Sequence, residues 1–348
     1  MNDLITNFLK NRKISGDNLS HKVILNLVSL SKKFQLIGFI SSVYKFSDKP
    51  KYEELNSIRK LFIAKKIMMI HDLKLICSTF KKKHINYCIL KGPALDISGV
   101  YDASTRFFRD LDILVAKEDL ELAFKTLNDL GYKYMNKFAR NSCNFLGNHH
   151  HLPLMLNQNN TFVELHHRAT APRHYKECPI TENILKEKVS CNEIFIPSPE
   201  ALIGHTIYHG VIQHEYSIGP VILFDIKGIM RKYDLEHQKY NSYASLLELD
   251  LEFKKINELL VDIDNKDEIE NFNERLNNIR RNIILEEKEG EKIHISDYKK
   301  IIKKLANNFF HKKIESTEFN YQTSRSSPMF PIWYLKELLK SIKNIRVI

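Results

Sequence analysis

The sequence predicts an α+β protein in which a small mixed β-sheet lies between N-terminal and C-terminal helical regions. Apolar residues recur at helical spacing through residues 1–84 and again over much of residues 196–348. Between these regions, short apolar runs bounded by turn-forming residues indicate strands. One stretch among them, 117–130, has helical periodicity, and Gly131 is placed as its stop. Strands and a helix packed as one core are therefore expected in the middle of the chain.

These patterns divide the chain into three regions. We expect an N-terminal helical region at residues 1–84, a sheet-containing core at 85–195 and a mainly helical C-terminal region at 196–348. The last region ends in a predicted amphipathic helix, Trp333–Lys343, after a loop rich in serine and proline.

Two aspartates give the strongest chemical signal in the chain. They lie in the run Phe108–Val115, where strand alternation places Asp110 and Asp112 on one face and Leu111 and Ile113 on the other. Two adjacent carboxylates repel each other unless a cation lies between them, and oxygen ligands of this kind suit Mg²⁺. The pair therefore indicates metal-assisted phosphoryl or nucleotidyl transfer. The alternative is a solvated pair at a strand edge.

A possible phosphate-binding turn precedes the aspartates. The short apolar run Tyr87–Leu90 is followed by Lys91, Gly92 and a predicted helix. Glycine lets backbone N–H groups approach phosphate closely, and the lysine adds a mobile positive charge. The alternative is a plain strand–turn–helix connection with a surface lysine.

A third carboxylate is predicted from a hairpin. Residues 152–156 and 161–168 read as two strands joined by an asparagine-rich turn. Alternation in the second strand places Glu164 and His166 on one face. If this strand lies beside the one that carries Asp110 and Asp112, Glu164 joins the same site. His166 would then orient that carboxylate or contact phosphate.

The remaining charged and imidazole groups allow several interpretations. Arg106 and Arg109 flank the aspartates and would hold a triphosphate or simply screen the acids. His205 and His209 have the i, i+4 spacing of zinc ligands, but the sequence offers no obvious third ligand, and packing or support of other site residues is favoured. Of the three adjacent histidines at 149–151, one or two are expected to face solvent.

Composition narrows the class of protein. The chain has 348 residues, of which 43% are hydrophobic and 27% charged, as in an ordinary globular enzyme. Its net charge of +11 attracts polyanions, yet the basic residues are spread along the chain, so nucleic acid is possible but not favoured. The sequence shows no membrane span and no signal-peptide layout. Five scattered cysteines predict reduced thiols in a cytoplasm.

Taken in order, these segments resemble a known family. Leu-Lys-Gly at residues 90–92, Arg-Asp-Leu-Asp-Ile-Leu-Val at 109–115, Leu-Gly-Tyr at 130–132 and Val-Glu-Leu-His at 163–166 resemble the uncharacterised bacterial nucleotidyltransferases of the polymerase-beta-like superfamily. The resemblance covers about residues 50–235. The sequence departs from the superfamily's pattern at Pro93, where the superfamily usually has a second glycine or a serine. Proline removes one backbone N–H at this position.

The resemblance implies a nucleotidyltransferase core and a Mg²⁺-dependent transfer of NMP from an NTP to a hydroxyl acceptor, with release of pyrophosphate. Asp110 and Asp112 would hold one or two Mg²⁺ ions, and Glu164 would complete the second metal site or deprotonate the acceptor. Lys91 and Gly92 would contact phosphates, and Arg106, Arg109 and His166 are further nucleotide-binding candidates. The acceptor is open: a small molecule, a sugar, a peptide or a protein. Two alternatives remain, namely an RNA- or tRNA-directed enzyme or toxin, and a non-catalytic nucleotide-binding protein.

Overall fold

A computed structural model describes residues 2–16, 19–47, 49–135, 150–170, 180–214, 220–235, 244–245 and 250–265. All of them belong to the first of the two units into which the chain divides, Met1–Ile284. The predicted helix at 333–343 lies outside the described residues, and so does much of the predicted C-terminal region. The boundaries of the three predicted regions therefore stay a prediction.

The described residues before the sheet are mainly helical. They form α1 (Asn2–Leu9), α2 (His21–Phe34), α3 (Ile37–Val43) and α4 (Glu53–Lys82), with a 3₁₀ turn at Pro50–Tyr52 before α4. The start of α2 is set by Ser20, whose hydroxyl accepts a hydrogen bond from the amide of Val23. Two short strands, β1 (Ile14–Ser15) and β2 (Tyr44–Lys45), pair in parallel and were not predicted.

A five-stranded mixed sheet forms the centre of the fold, as predicted. Its strands are β3 (Tyr87–Ile89), β4 (Asp110–Val115), β5 (Lys133–Tyr134), β6 (Met155–Leu156) and β7 (Phe162–His166). They lie in the order β3-β4-β7-β6-β5. The central pair β4 and β7 is parallel, and the other neighbours are antiparallel.

The register of the central pair follows from burial. Leu111, Ile113 and Val115 of β4 are buried on one face of the sheet. A slip of one residue would move all three to the face that carries Asp112, so the apolar alternation fixes which side chains share that face. The predicted hairpin is confirmed, since β6 pairs with β7 in antiparallel fashion.

Two helices connect the strands that carry the site. The helix α5 (Lys91–Ile97) follows β3, and α6 (Leu120–Asp129) follows β4 after a 3₁₀ turn at Lys117–Asp119. The predicted helix 117–130 is thus confirmed, with a tighter first turn. Gly131 ends it with φ of +87°, a left-handed conformation that glycine adopts without strain.

The segment between α5 and β4 is held by a lysine from α4. The Nζ atom of Lys66 donates to the carboxylate of Asp96, to the carbonyl oxygen of Ala103 at 2.6 Å and to that of Arg106 at 3.0 Å. The Lys66 side chain is only 7% exposed. This buried ammonium therefore fixes the backbone that leads into the aspartate strand.

Helices dominate the described residues after the sheet. They are α7 (Ile180–Glu187), α8 (Pro199–Ile207), a π-helix (Tyr208–Gln213), α9 (Val221–Tyr233) and α10 (Asp250–Asn265). A small hairpin of β8 (Val189–Cys191) and β9 (Ile194–Ile196) lies between α7 and α8 and was not predicted. None of the described helices is long and apolar enough to cross a membrane.

Candidate active site

Three carboxylates share one face of the central strands. In the parallel register of β4 and β7, Asp112 lies directly opposite Glu164. Asp110, two residues earlier on β4, projects to the same face because strand side chains alternate. Asp112 is almost fully buried, whereas Asp110 and Glu164 are partly exposed. The structure thus places the three predicted acidic residues together.

Lys91 lies between these carboxylates. Its Nζ atom is 2.6 Å from Oδ1 of Asp112 and 3.6 Å from Oε2 of Glu164. The position follows from the sheet, because the amide of Leu90 donates to the carbonyl oxygen of Asp112 at 2.9 Å. Burial disfavours the ammonium, but the charges of Asp112 and Glu164 outweigh it and raise the pKa of Lys91. The lysine is therefore a fixed cation within the acidic cluster.

His166 contacts the same carboxylates. Its side chain is fully buried, and Nε2 lies 3.0 Å from Oδ1 of Asp112 and 3.5 Å from Oε2 of Glu164. Although burial lowers its pKa, the hydrogen bonds to these two carboxylates raise it overall. His166 therefore donates from Nε2 to these carboxylates, and its predicted role of orienting Glu164 stays a prediction.

The three acids have different proton affinities. Burial would raise the pKa of Asp112, but Lys91 and His166 hold it well below its usual range. The pKa of Glu164 is also lowered, because the hydrogen bond from His166 and the charge of Lys91 outweigh burial and the Asp112 charge. Burial, followed by the charges of Asp112 and Glu164, raises the pKa of Asp110 to about 7. Of the three acids, Asp110 is thus the one whose negative charge is least compensated by nearby positive charge.

The donor set fits a hard divalent cation. One ligand atom from each of Asp112, Glu164 and His166 lies within 4.8 Å of the others. Carboxylate oxygens are preferred by Mg²⁺ over imidazole nitrogen, so Asp110, Asp112 and Glu164 are the better ligands. The ammonium of Lys91 already occupies a place where these acids stabilise positive charge.

A cavity of about 470 Å³ opens onto the carboxylates. Its size is that of a site for one small molecule. The predicted site residues other than His166 line it: Lys91, Gly92, Arg106, Arg109, Asp110, Asp112 and Glu164. Gly92 is required for packing as well, since a Cβ atom there would lie 2.8 Å from Cβ of Phe108. Contact of Gly92 with phosphate stays a prediction.

The two arginines occupy different environments. Arg106 is largely buried and forms a two-pronged ion pair with Asp225 of α9, with Nε–Oδ1 and Nη2–Oδ2 distances of 2.9 Å. It also donates to the carbonyl oxygen of Phe107. Arg109 is exposed and donates to the carbonyl oxygen of Lys33 at 3.2 Å. Phosphate binding by either arginine stays a prediction, and Arg106 would have to share its donors with Asp225.

The Arg106–Asp225 pair should be a major stabilising contact between α9 and the segment that precedes β4. We expect Asp225→Asn to lower the free energy of unfolding by about 3–5 kcal/mol, because it leaves a buried guanidinium unpaired. The double variant Arg106→Met/Asp225→Leu should recover much of that loss. A urea-denaturation double-mutant cycle that includes the single variants Arg106→Met and Asp225→Leu measures the coupling. Additive single effects would show that the pair contributes nothing specific.

The sequence did not indicate several residues that line the cavity. Lys33 and Phe34 line the cavity from the end of α2, and His214 lines it from the end of the π-helix. These residues lie far from the motifs, so no local pattern marks them. His205 is fully buried and bonds through Nε2 to the carbonyl oxygen of Ala169 at 2.9 Å, in line with a packing role. Residue 149 of the histidine triplet lies outside the described residues.

The structure thus combines a mixed sheet, adjacent carboxylates on two parallel strands and a cavity beside them. The family model described as "Uncharacterised nucleotidyltransferase" matches residues 32–260. The chain therefore belongs to this family of nucleotidyltransferases. This assignment confirms the nucleotidyltransferase family that the sequence resembles and identifies the protein as an enzyme of that class.

Solved structures give more distant similarities. One is the crystal structure of ANT(2")-Ia in complex with adenylyl-2"-tobramycin, with a TM-score of 0.35 and 11% identity, covering 52% of this chain and 97% of that one. Another is an antigenic nucleotidyltransferase-like protein from Paracoccidioides brasiliensis, with a TM-score of 0.35 and 14% identity, covering 58% and 94%. Similarity at this level supports no functional inference for the present chain. A search of curated proteins finds no significant match.

Proposed function

We propose that this protein transfers NMP from an NTP to a hydroxyl acceptor in a Mg²⁺-dependent reaction that releases pyrophosphate. The observation that carries the proposal is the register of β4 and β7, which sets Asp112 opposite Glu164 with Asp110 on the same face. The acceptor oxygen attacks the α-phosphorus in line. The new O–P bond forms as the bond from the α-phosphorus to the pyrophosphate oxygen breaks.

Asp110, Asp112 and Glu164 would hold the metal. When bound, Mg²⁺ neutralises phosphate charge and orients the triphosphate. Of the two roles predicted for Glu164, metal binding is the better supported. Its lowered pKa makes it a weak base, and its contacts with Lys91 and His166 hold it in place.

The other residues of the site would act on the nucleotide. Lys91 lies within reach of the carboxylates, and its ammonium would contact a phosphate oxygen of the nucleotide. Gly92 and Arg109 line the same cavity and would contact phosphates, with Arg106 beside them. His166 would stay behind the acids and keep their oxygens aimed at the cavity. Positioning and charge neutralisation are then the main sources of rate enhancement.

Label transfer tests this proposal. The protein is incubated with Mg²⁺, each α-labelled NTP in turn and host extract divided into RNA, protein and small-molecule fractions. Label that enters one fraction, only with divalent cation present, supports the proposal and identifies the acceptor class. Label in RNA would select the RNA-directed alternative. Tight binding of Mg²⁺–NTP without transfer to any fraction would favour a non-catalytic nucleotide-binding protein.

The raised pKa of Asp110 predicts a pH-dependent metal affinity. Asp110 has a pKa of about 7 in the metal-free protein, so it carries a proton below that pH and must release it to bind a cation. Mn²⁺ affinity should therefore rise by about fivefold from pH 6 to pH 7 and by about tenfold in all from pH 6 to pH 8, and level off above pH 8. Calorimetry in buffers of different ionisation enthalpy measures the proton released. Asp110→Asn should bind Mn²⁺ more weakly, without this pH dependence; a flat profile in the unmodified protein would refute the prediction.

A further inference from the structure

Three histidines form a row along the cavity that holds the carboxylates. His205 lies on α8, His209 in the π-helix and His214 directly after it, and all three line the cavity. Their ring centroids are 6.2 Å apart between His205 and His209, and 4.4 Å apart between His209 and His214. Among the described residues, the group of side chains able to hold a metal comprises Asp112, Glu164 and His166 and does not include this row. The row is therefore separate from the candidate metal ligands.

The π-helix brings two of these rings together. Its hydrogen bonds run over five residues, and the amide of His214 donates to the carbonyl oxygen of His209 at 3.1 Å. In an α-helix, residues five apart do not share a face. Here Nε2 of His214 lies 3.0 Å from Nε2 of His209. The rare helix type, which often marks functional sites, thus produces the contact between the two imidazoles.

Glycine allows this turn to pack closely on the next helix. A Cβ atom at Gly210 would lie 2.2 Å from Cδ1 of Ile222, at the start of α9. The π-helix is therefore seated directly against α9, the helix that also carries Asp225. Close backbone packing therefore holds the π-helix that carries His209 against α9.

The contact between His209 and His214 determines which of their ring nitrogens carries a hydrogen. Only one of the two facing nitrogens carries a hydrogen, because the other must accept it. Burial and the positive charge of Lys91 lower the pKa of both His209 and His214, so both rings are neutral. Whichever ring donates from Nε2 keeps a free lone pair on Nδ1. A neutral imidazole with a lone pair is the usual general base of enzymes.

Nucleotidyl transfer requires a group to take the acceptor's proton, and the acids are poorly suited to it. Asp112 and Glu164 are in contact with Lys91 and His166 and would hold the metal in the proposed function, so their oxygens are already engaged. Asp110 is needed as a metal ligand in the proposed function. His214 lines the same cavity and is only half buried, so a proton that it accepts can pass on to solvent.

We propose that His214, oriented by His209, is the general base that deprotonates the acceptor hydroxyl. This inference rests on the proposed nucleotidyl transfer. His214 donates from Nε2 to Nε2 of His209 and receives the hydroxyl proton on Nδ1. The acceptor oxygen forms its bond to the α-phosphorus, the bond to pyrophosphate breaks, and its electron pair leaves on pyrophosphate. His214 then loses the proton to solvent. His209 is a positioning residue, and the acceptor end of the cavity lies along the histidine row.

Chemical rescue tests the proposal. Rates are measured with the α-labelled NTP and the extract fraction that accept label in the unmodified protein. His214→Ala should lower turnover by about 10²–10⁴-fold, with Mn²⁺–ATP affinity kept within about twofold, and added imidazole should restore part of the rate. His209→Gln keeps a carbonyl acceptor for His214 and should lose about tenfold without rescue. His71→Ala, an exposed histidine on α4 outside the cavity, is the control and should change nothing.

The outcomes separate this proposal from the one on which it rests. Transfer by His214→Ala within about threefold of the unmodified rate would overturn the base assignment and leave nucleotidyl transfer intact. Loss of turnover together with loss of Mn²⁺–ATP binding, and without rescue by imidazole, would also overturn it, because that pattern shows a structural role. His214→Asn, with a side chain closer in size, repeats the measurement if the alanine variant fails to fold. Absence of transfer by the unmodified protein would refute the proposed function itself.

Discussion

Replacing Asp112 by asparagine should abolish nucleotidyl transfer while the protein stays folded. The substitution keeps the shape and one acceptor oxygen but removes the charge that lies opposite Glu164 on the parallel strand. Without it, the divalent cation loses a ligand and Lys91 loses its nearest counter-charge. We expect the transfer rate to fall by about 10³-fold or more. Initial rates of label transfer measure the effect.

The cost of this variant in stability should be moderate. Lys91 and His166 both bond to Oδ1 of Asp112, and asparagine retains a weaker acceptor there. We expect a loss of about 1–3 kcal/mol in the free energy of unfolding. Asp72→Asn is the matched control. Asp72 is a buried carboxylate of α4 that accepts hydrogen bonds from Asn157, Asn159 and Thr161.

Asp72 does not line the cavity, so the control separates stability from chemistry. Asp72→Asn should lose a similar amount of stability and keep its transfer rate within a few-fold. Transfer by Asp112→Asn at a rate comparable to that of the control would disprove the site assignment. Loss of transfer in both variants would show that the sheet must be intact, without locating the chemistry.

Replacing Lys91 by methionine should affect both the metal-free protein and catalysis. The raised pKa of Lys91 means that its stabilising charge is fully present at neutral pH and is lost only as pH rises through that pKa. Removing it leaves the acids without their fixed cation, and we expect a loss of about 3 kcal/mol in the presence of EDTA. Transfer should fall by about 10²-fold or more, because phosphate loses a cationic contact.

Added Mn²⁺ should restore the lost stability of Lys91→Met. In the unmodified protein the cation competes with the ammonium for Asp112, whereas in the variant it meets uncompensated acids. The rise in melting temperature on adding Mn²⁺ should therefore be larger for Lys91→Met than for the unmodified protein. Lys74→Met, an exposed lysine of α4 outside the cavity, serves as control. Equal shifts in all three proteins would contradict a role for Lys91 as the cation of the metal-free site.

The carboxylate cluster was predictable because its geometry follows from strand alternation. Buried Leu111 and Ile113 fix which face of β4 carries Asp110 and Asp112. The asparagine-rich turn predicted the hairpin that brings Glu164 into the sheet. What the pattern leaves open is the neighbour of each strand, since parallel pairing of β4 with β7 depends on long-range packing.

The partners of the basic residues were not predictable. Arg106 and Asp225 are 119 positions apart, and no local signal links a guanidinium to one carboxylate among many. The same limit applies to His209 and His214, whose contact depends on a π-helix that has no sequence periodicity of its own. The hairpin β8–β9 was missed for another reason. Its turn places Asn192 and Glu193 at φ of 48° and 65°, and glutamate rarely adopts this left-handed conformation.

The most direct test of a metal-dependent nucleotidyltransferase site on β4 and β7 is anomalous diffraction from crystals grown with Mn²⁺ and an ATP analogue that cannot be cleaved between the α- and β-phosphates. We expect an anomalous peak within bonding distance of Asp112 and Glu164, with the triphosphate beside it and the ammonium of Lys91 moved from Asp112 to a phosphate oxygen. Analogue bound elsewhere, with Lys91 still paired to Asp112 and no manganese at the carboxylates, would contradict the assignment.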